Sequence, residues 1–180
     1  MISIRIHGRG GQGAVTAAEL IAMAAFHQGK FAQAFPFFGV ERQGAPVESY
    51  CRISEEKITL RSQIDQPDYL IIQDTSLIKN PNTFKGIKPT TLAIINSQKS
   101  ATELDLPQGL KAITVSATSI ALEILGKPII NTALLGAFAG ATEVIDLPAL
   151  KKAVQEKFSE KSKELVEKNI KIVTTAYEAI

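Results

Sequence analysis

Ile2-Ser3-Ile4-Arg5-Ile6-His7-Gly8-Arg9-Gly10-Gly11-Gln12-Gly13-Ala14-Val15-Thr16-Ala17-Ala18-Glu19 decides how this chain folds. Residues 2–6 alternate apolar and polar, which is the period of a strand. Ala14 to Gln28 is rich in alanine and free of glycine and proline, which is the composition of a helix. Gly8, Gly10, Gly11 and Gly13 lie between them. The order is strand, glycine turn, helix. Glycine lets the backbone turn and lets a ligand approach without a Cβ in the way. The free N–H groups and positive end of the following helix then favour an anion.

Gly8-x-Gly10-x-x-Gly13 matches the form of a dinucleotide fingerprint, and it has the strand and helix that the fingerprint needs. It lacks the acid expected about 20 residues further on to hold a ribose. That region reads Lys30-Phe31-Ala32-Gln33-Ala34-Phe35. It is not a nucleotide P-loop either, because Ala14-Val15 follows Gly13 in place of Lys and Ser/Thr. A tight turn without a ligand is the bland alternative.

The rest of the chain continues an alternation of strands and helices. Phe31–Ala34 is a short second strand. Phe35-Pro36-Phe37-Phe38-Gly39-Val40-Glu41-Arg42-Gln43-Gly44-Ala45-Pro46 reads as a loop, with two prolines and two glycines. Its three phenylalanines need cover, either from the domain's own core or from a partner. Val47–Ile53 alternates and, with Ile58-Thr59-Leu60, suggests an antiparallel hairpin. Tyr69–Ile72, Thr91–Ile95 and Lys111–Val115 read as further strands, the first two apolar enough for burial on both faces. They end at polar residues: Gln73-Asp74-Thr75-Ser76, Asn96-Ser97 and Ser116. Such strand ends bind ligands in open α/β sheets, and they also cap helices. Helices are expected over Ala117–Leu125, from Asn131-Thr132 through the small residues to Gly140, after Asp146, and over 161–179. In the last of these Leu165, Val166, Ile170, Val173 and Tyr177 are expected inward, with Glu164/Lys168 and Glu167/Lys171 paired on the outside. The fold class is therefore α/β: a three-layer α/β/α domain spanning 1–180, with a mostly parallel mixed sheet and one antiparallel hairpin.

Composition narrows the function. Hydrophobic residues at 45% and charged residues at 21% are ordinary for a globular protein. A net charge of +2, with no basic cluster among aromatics, does not suggest nucleic acid. No apolar run reaches membrane-spanning length and no signal peptide is evident, so the expected location is cytoplasmic. Cys51 stands alone, which leaves no internal disulfide and no cysteine-held cluster on this chain. It is expected to be a packed residue. His7 and His27 are the only histidines; no metal-ligand spacing and no nucleophile setting is present. No catalytic residue and no metal ligand is expected. One anion-suited loop and one aromatic loop, without catalytic apparatus, suggest a subunit that binds something for a partner.

Two stretches together carry a resemblance. His7-Gly-Arg-Gly-Gly-Gln-Gly-Ala-Val-Thr-Ala-Ala-Glu19 and Gln33-Ala-Phe-Pro-Phe-Phe-Gly-Val-Glu-Arg-Gln-Gly-Ala-Pro-Val47 resemble the gamma subunit of 2-oxoacid:ferredoxin oxidoreductases. The likeness continues at Asn131-Thr132-Ala133-Leu134-Leu135-Gly136 and covers nearly the whole chain. It implies a complex that decarboxylates a 2-oxoacid on thiamine diphosphate and passes electrons through iron–sulfur clusters to ferredoxin or flavodoxin. The acyl group goes to coenzyme A. Thiamine diphosphate, Mg and the clusters would lie on the partner alpha, beta and delta subunits. The gamma chain would contribute coenzyme A binding and assembly. On that resemblance Gly8, Gly10, Gly11 and Gly13 form the phosphate cradle, with Arg9 and Gln12 as side-chain contacts. Phe35, Phe37, Phe38, Arg42 and Gln43 form a partner surface, and Arg42 serves either coenzyme A or the partner. Phe37-Phe38-Gly39 and Arg42-Gln43-Gly44 look like the pyruvate type; branched-chain 2-oxoacids stay open. A free-standing nicotinamide or flavin oxidoreductase and a ligand-free structural module are the rival readings.

Overall fold

The computed structural model describes residues 1–37 and 44–180. Six strands form one sheet: β1 (Ile2–Arg9), β2 (Phe31–Phe37), β3 (Pro46–Ser54), β4 (Tyr69–Ile72), β5 (Leu92–Asn96) and β6 (Lys111–Val115). Their order is β2-β3-β1-β4-β5-β6. β1, β4, β5 and β6 are parallel neighbours, and β3 runs against both β1 and β2. The helices are α1 (Ala14–His27), α2 (Ala117–Leu125), α3 (Asn131–Thr142), α4 (Leu147–Lys157) and α5 (Lys163–Glu178). The architecture is the expected α/β class.

The helices share one core with one face of the sheet. Ile4, Ile6, Cys51, Ile53, Ile71 and Ile94 meet Leu20, Ile21, Leu134, Phe138, Leu150 and Ile172 there. α3 is buried continuously from Asn131 to Ala139, which suits its near-uniform apolar sequence. It lies so close to α5 that a Cβ on Gly136 would collide with the Val173 carbonyl oxygen, and one on Gly140 would sit 2.9 Å from that of Tyr177. The small residues of α3 exist for this approach.

Among the described residues the other sheet face is covered without α-helices. Leu70, Ile72, Ala93 and Ile95 pack there against Leu77 and Ile78 and against Phe84, Ile87 and Leu104. The 3-10 turns at Thr75–Lys79 and Pro81–Phe84 supply Leu77, Ile78 and Phe84 to this cover, and the loops around them supply the rest. The segments on either side of β4, before it and between it and β5, are held by two arginines. Arg5 donates to the carbonyls of Ile64 (3.3 Å), Thr83 (3.1 Å) and Lys85 (2.7 Å). Arg52 donates to those of Ser62 (2.6 Å) and Gln63 (3.2 Å). Both are buried, with these backbone oxygens taking the place of water at the donors they reach.

Several local expectations are corrected. The expected hairpin of Val47–Ile53 with Ile58-Thr59-Leu60 does not form; β2 and β3 make the antiparallel pair, and 58–60 has no regular structure. Both edges of β3 are taken by β1 and β2, so no edge is left for a third strand. Phe35, Pro36 and Phe37 belong to β2 and are not loop. Pro36 is tolerated because β2 is an edge strand, where one side needs no donor. In α5 the buried stripe is Asn169, Ile172, Val173 and Ala176, with Ile170 and Tyr177 only partly buried. Asn169 buries because its amide accepts from Thr132 Oγ1 (3.1 Å) and donates to the Leu165 carbonyl (2.8 Å). Glu164 pairs with Lys168 at 2.6 Å as expected.

Candidate functional site

From β1 the chain passes through α1 to β2 on one side, then from β3 to β4 on the other side of β1. The crevice beyond the C-terminal ends of β1 and β4 is thus the point where the winding reverses, the usual ligand position in such sheets. A cleft of about 500 Å³ opens there, lined by Gly10, Gly11, Gln12, Gln73, Asp74, Thr75, Asn96, Thr118, Pro128 and Ile130.

The glycine turn forms one wall. Gly11 has φ +93°, and among the described residues nothing lies within 4 Å of where its Cβ would stand. Gly13 has φ +76° and is the N-cap of α1; a Cβ there would stand 2.8 Å from Asn131 Nδ2. Being glycine, it offers no side-chain cap, and no acidic residue occupies the first turn of α1. The helix therefore presents uncapped donors and its positive end towards the turn. Gly10 N donates to the Ala45 carbonyl (2.9 Å) and Gln12 N to that of Arg9 (3.0 Å). Gly11 N has no such acceptor among the described residues.

A network of side chains holds the turn closed. Gln12 Oε1 accepts from Arg9 N (2.7 Å), and its Nε2 donates to Asp74 Oδ2 (3.2 Å). Arg9 donates to Ser76 Oγ through Nη2 (2.6 Å) and to the Gly44 carbonyl through Nη1 (2.9 Å), and its Nε lies 3.2 Å from Asp74 Oδ2. Asp74 accepts from Ser76 N (2.9 Å), the capping role its position suggested. Burial works to raise the Asp74 carboxyl. The hydrogen bonds from Ser76 and Gln12 and the charge of Arg9 outweigh it and hold the group below the ordinary range.

The six expected contact residues thus separate by role. Gly10, Gly11 and Gln12 line the cleft. Gly8 lies in β1, and its missing Cβ makes room for the Gln73 side chain. Gly13 clears Asn131, and Arg9 is engaged beside the cleft with Ser76 and Asp74. Gln73, Asn96 and Thr118 also form the wall. Gln73 and Asn96 were signalled in the sequence by their place at strand ends, whereas Thr118, in the first turn of α2, was not.

His7 is buried beneath this site. Its Nε2 accepts from Arg5 Nε (3.0 Å), which fixes the neutral tautomer with the proton on Nδ1, 3.7 Å from Glu48 Oε1. Burial, with the Arg5 charge added, pushes His7 down to about 3. Cys51 is fully buried and its thiol is pushed up to about 12 by that burial, so it is an inert packed residue. His27 closes α1 by pairing with Glu156 at 2.9 Å.

The expected partner surface is only partly within view. Phe38, Arg42 and Gln43 lie outside the described residues. Phe35 stacks on Tyr50 at 5.1 Å between centroids, with the Arg52 guanidinium 5.1 Å from its centroid. Phe37 is 43% exposed at the end of β2. Phe26 and Phe31, 72% and 50% exposed, border a second groove that the sequence did not announce.

Comparison with known proteins decides the family. The model of the pyruvate ferredoxin/flavodoxin oxidoreductase family matches residues 3–179. The chain belongs to that family. It is 53% identical to pyruvate synthase subunit PorC of Methanocaldococcus jannaschii over 98% of this chain and 96% of that one. It is 48% identical to the pyruvate/ketoisovalerate oxidoreductases common subunit gamma of Pyrococcus abyssi, over 99% and 96%. The crystal structure of pyruvate oxidoreductase subunit PORC from Thermotoga maritima superposes with a TM-score of 0.85 at 31% identity, covering 98% of this chain and 95% of that one. The chain is thus a gamma-type subunit of a multi-subunit 2-oxoacid oxidoreductase.

Proposed function

We propose that this chain holds the phosphates of coenzyme A for an oxidoreductase that converts pyruvate to acetyl-CoA and passes electrons to ferredoxin. The observation that carries this is the glycine turn. Gly11 is open to the cleft, and α1 begins behind it without a side-chain cap or an acid. Anions are favoured at such a helix start by its free N–H groups and dipole. A fold-level relative at 23% identity, the 2-oxoglutarate:ferredoxin oxidoreductase of Magnetococcus marinus, is described with coenzyme A and succinyl-CoA bound. Pyruvate is favoured as the 2-oxoacid by the names of the 53% and 48% identical relatives, the second of which also serves ketoisovalerate.

Within this reading, thiamine diphosphate with Mg and the iron–sulfur clusters belong to alpha, beta and delta partners. The residues of this chain bind and orient. The turn places coenzyme A, and the Arg9–Asp74–Gln12 network sets the turn's shape. Arg9, held beside the turn, adds positive charge to this wall.

Gly11→Asp tests the cradle in the assembled complex. Among the described residues the added side chain meets no atom, so its carboxylate faces the phosphates, and Gly11→Ala, which carries the same strain at φ +93° without the charge, is the control. Isothermal titration should show coenzyme A bound at least tenfold more weakly, since repulsion of about 1.4 kcal/mol is a factor of ten. Unchanged affinity in a folded, assembled variant would remove the phosphates from this turn.

A further inference from the structure

Gln73 follows β4 directly and is 1% exposed, yet neither its Oε1 nor its Nε2 meets a hydrogen-bond partner among the described residues. Its side chain lies under the glycine turn, with Oε1 turned into the space a Gly8 Cβ would fill and Cδ 3.2 Å from that position, and it borders the cleft, which the carboxamide reaches by rotating about its last side-chain bonds. The side chains of Asn96, Gln12 and Asp74 in the same wall are engaged. Asn96 Nδ2 donates to the Gln73 carbonyl (3.1 Å) and to Thr118 Oγ1 (2.9 Å), and its Oδ1 accepts from Thr118 N (3.2 Å). Gln12 and Asp74 bond to each other, to Arg9 and to Ser76. A buried amide with both ends unpaired is worse than an apolar group of its size. A glutamine at this position is accounted for by a group that completes its pairs.

We propose that Gln73 is a ligand-reading residue: its carboxamide pairs with a bound planar group that carries a donor and an acceptor side by side, while the ligand's phosphates rest on the glycine turn. An amide or an aminopurine has that edge. Inorganic phosphate is an unsuitable occupant, because its oxygens chiefly accept and leave Oε1 poorly paired. Pro128 and Ile130 also line the cleft and offer apolar surface to a planar group. The assignment rests on the coenzyme A reading, since coenzyme A carries both an adenine and two pantetheine amides.

The assembled oxidoreductase, with wild-type, Gln73→Met or Gly11→Asp gamma chain, is titrated with coenzyme A, adenosine 3′,5′-bisphosphate and pantetheine. Gln73→Met keeps the side-chain length and removes both hydrogen-bonding groups. It should melt at or above the wild-type temperature and bind coenzyme A at least tenfold more weakly. The fragment that weakens in step identifies the edge: the bisphosphate marks the aminopurine, and pantetheine marks the amide. Wild-type affinity in Gln73→Met overturns the proposal, and so does a lower melting temperature with affinity unchanged, which marks a purely structural amide. If Gln73→Met does not fold, Gln73→Glu takes its place. It keeps the size and removes the N–H donors, and normal affinity in that variant overturns the proposal equally. Loss of affinity in Gly11→Asp but not in Gln73→Met leaves the phosphate turn standing and removes only the Gln73 role. No coenzyme A binding in the wild type, or full binding in both variants, removes both.

Discussion

At the scale of single residues, His7 shows how a polar residue beside the glycine turn becomes structural. Its Nε2 accepts from Arg5, so protonating it would break that bond and place a cation beside a guanidinium. The folded protein holds His7 neutral down to about 3, against an ordinary 6.5. The unfolded chain therefore binds the proton first. Stability is full above about pH 6.5 and falls as the pH drops towards 3, by up to about 1.4 kcal/mol per pH unit. Urea midpoints at pH 7, 6 and 5 should fall in wild type, and His7→Gln, which keeps an acceptor for Arg5, should flatten the slope. An equal slope in both would place the titration elsewhere. Asp74 adds a second, more acidic loss: its carboxyl lies below the ordinary 3.8, so its contribution is present above that value and disappears below it. From sequence alone Cys51 was already read as packed. The burial of Arg5 and Arg52 was not legible, because alternation in a strand assigns a face but does not say what covers it.

Among the elements, α1, β4, β5 and α2 were legible to within a residue or two, since each has strong periodicity or composition and a clear stop. The β2–β3 pair was misread because prolines mark loops unless the strand lies at an edge, and edge position is a tertiary fact. The cleft was half legible. Its glycine wall stood out, but the wall from Gln73, Asn96 and Thr118 depends on which strands become neighbours. The contact of α3 with α5 follows from the small residues and is testable. Gly136→Ala drives a Cβ onto the Val173 carbonyl, which is backbone and cannot rotate away. A loss of about 1–3 kcal/mol is expected for such overpacking, lowering Tm by roughly 3–10 °C. Gly140→Ala meets the Tyr177 carbonyl at a milder 2.9 Å and should cost less. A Gly136→Ala chain that melts higher than wild type would mean that helix propensity, not close approach, governs α3.

For the whole molecule, no helix among the described residues is long and apolar enough to cross a membrane. Membership of a multi-subunit family asks instead where partners sit. The aromatic end of β2 is the proposed contact: Phe37 is 43% exposed, while Phe35 is held by Tyr50 and Arg52. Covering one phenylalanine contributes roughly 1.5–3 kcal/mol, so Phe37→Ala should weaken assembly about tenfold to a hundredfold. The isolated chain should keep its melting temperature. Phe35→Ala should instead lower that temperature, because its ring packs within this chain. Normal assembly of the Phe37→Ala chain would move the interface off this surface. The role of the chain in its complex is decided most directly by a cryo-electron microscopy map of the assembled oxidoreductase with coenzyme A. The phosphates of coenzyme A should lie within hydrogen-bond reach of Gly11 N and the first turn of α1. Coenzyme A density seated wholly on partner subunits, away from the glycine turn, would contradict it.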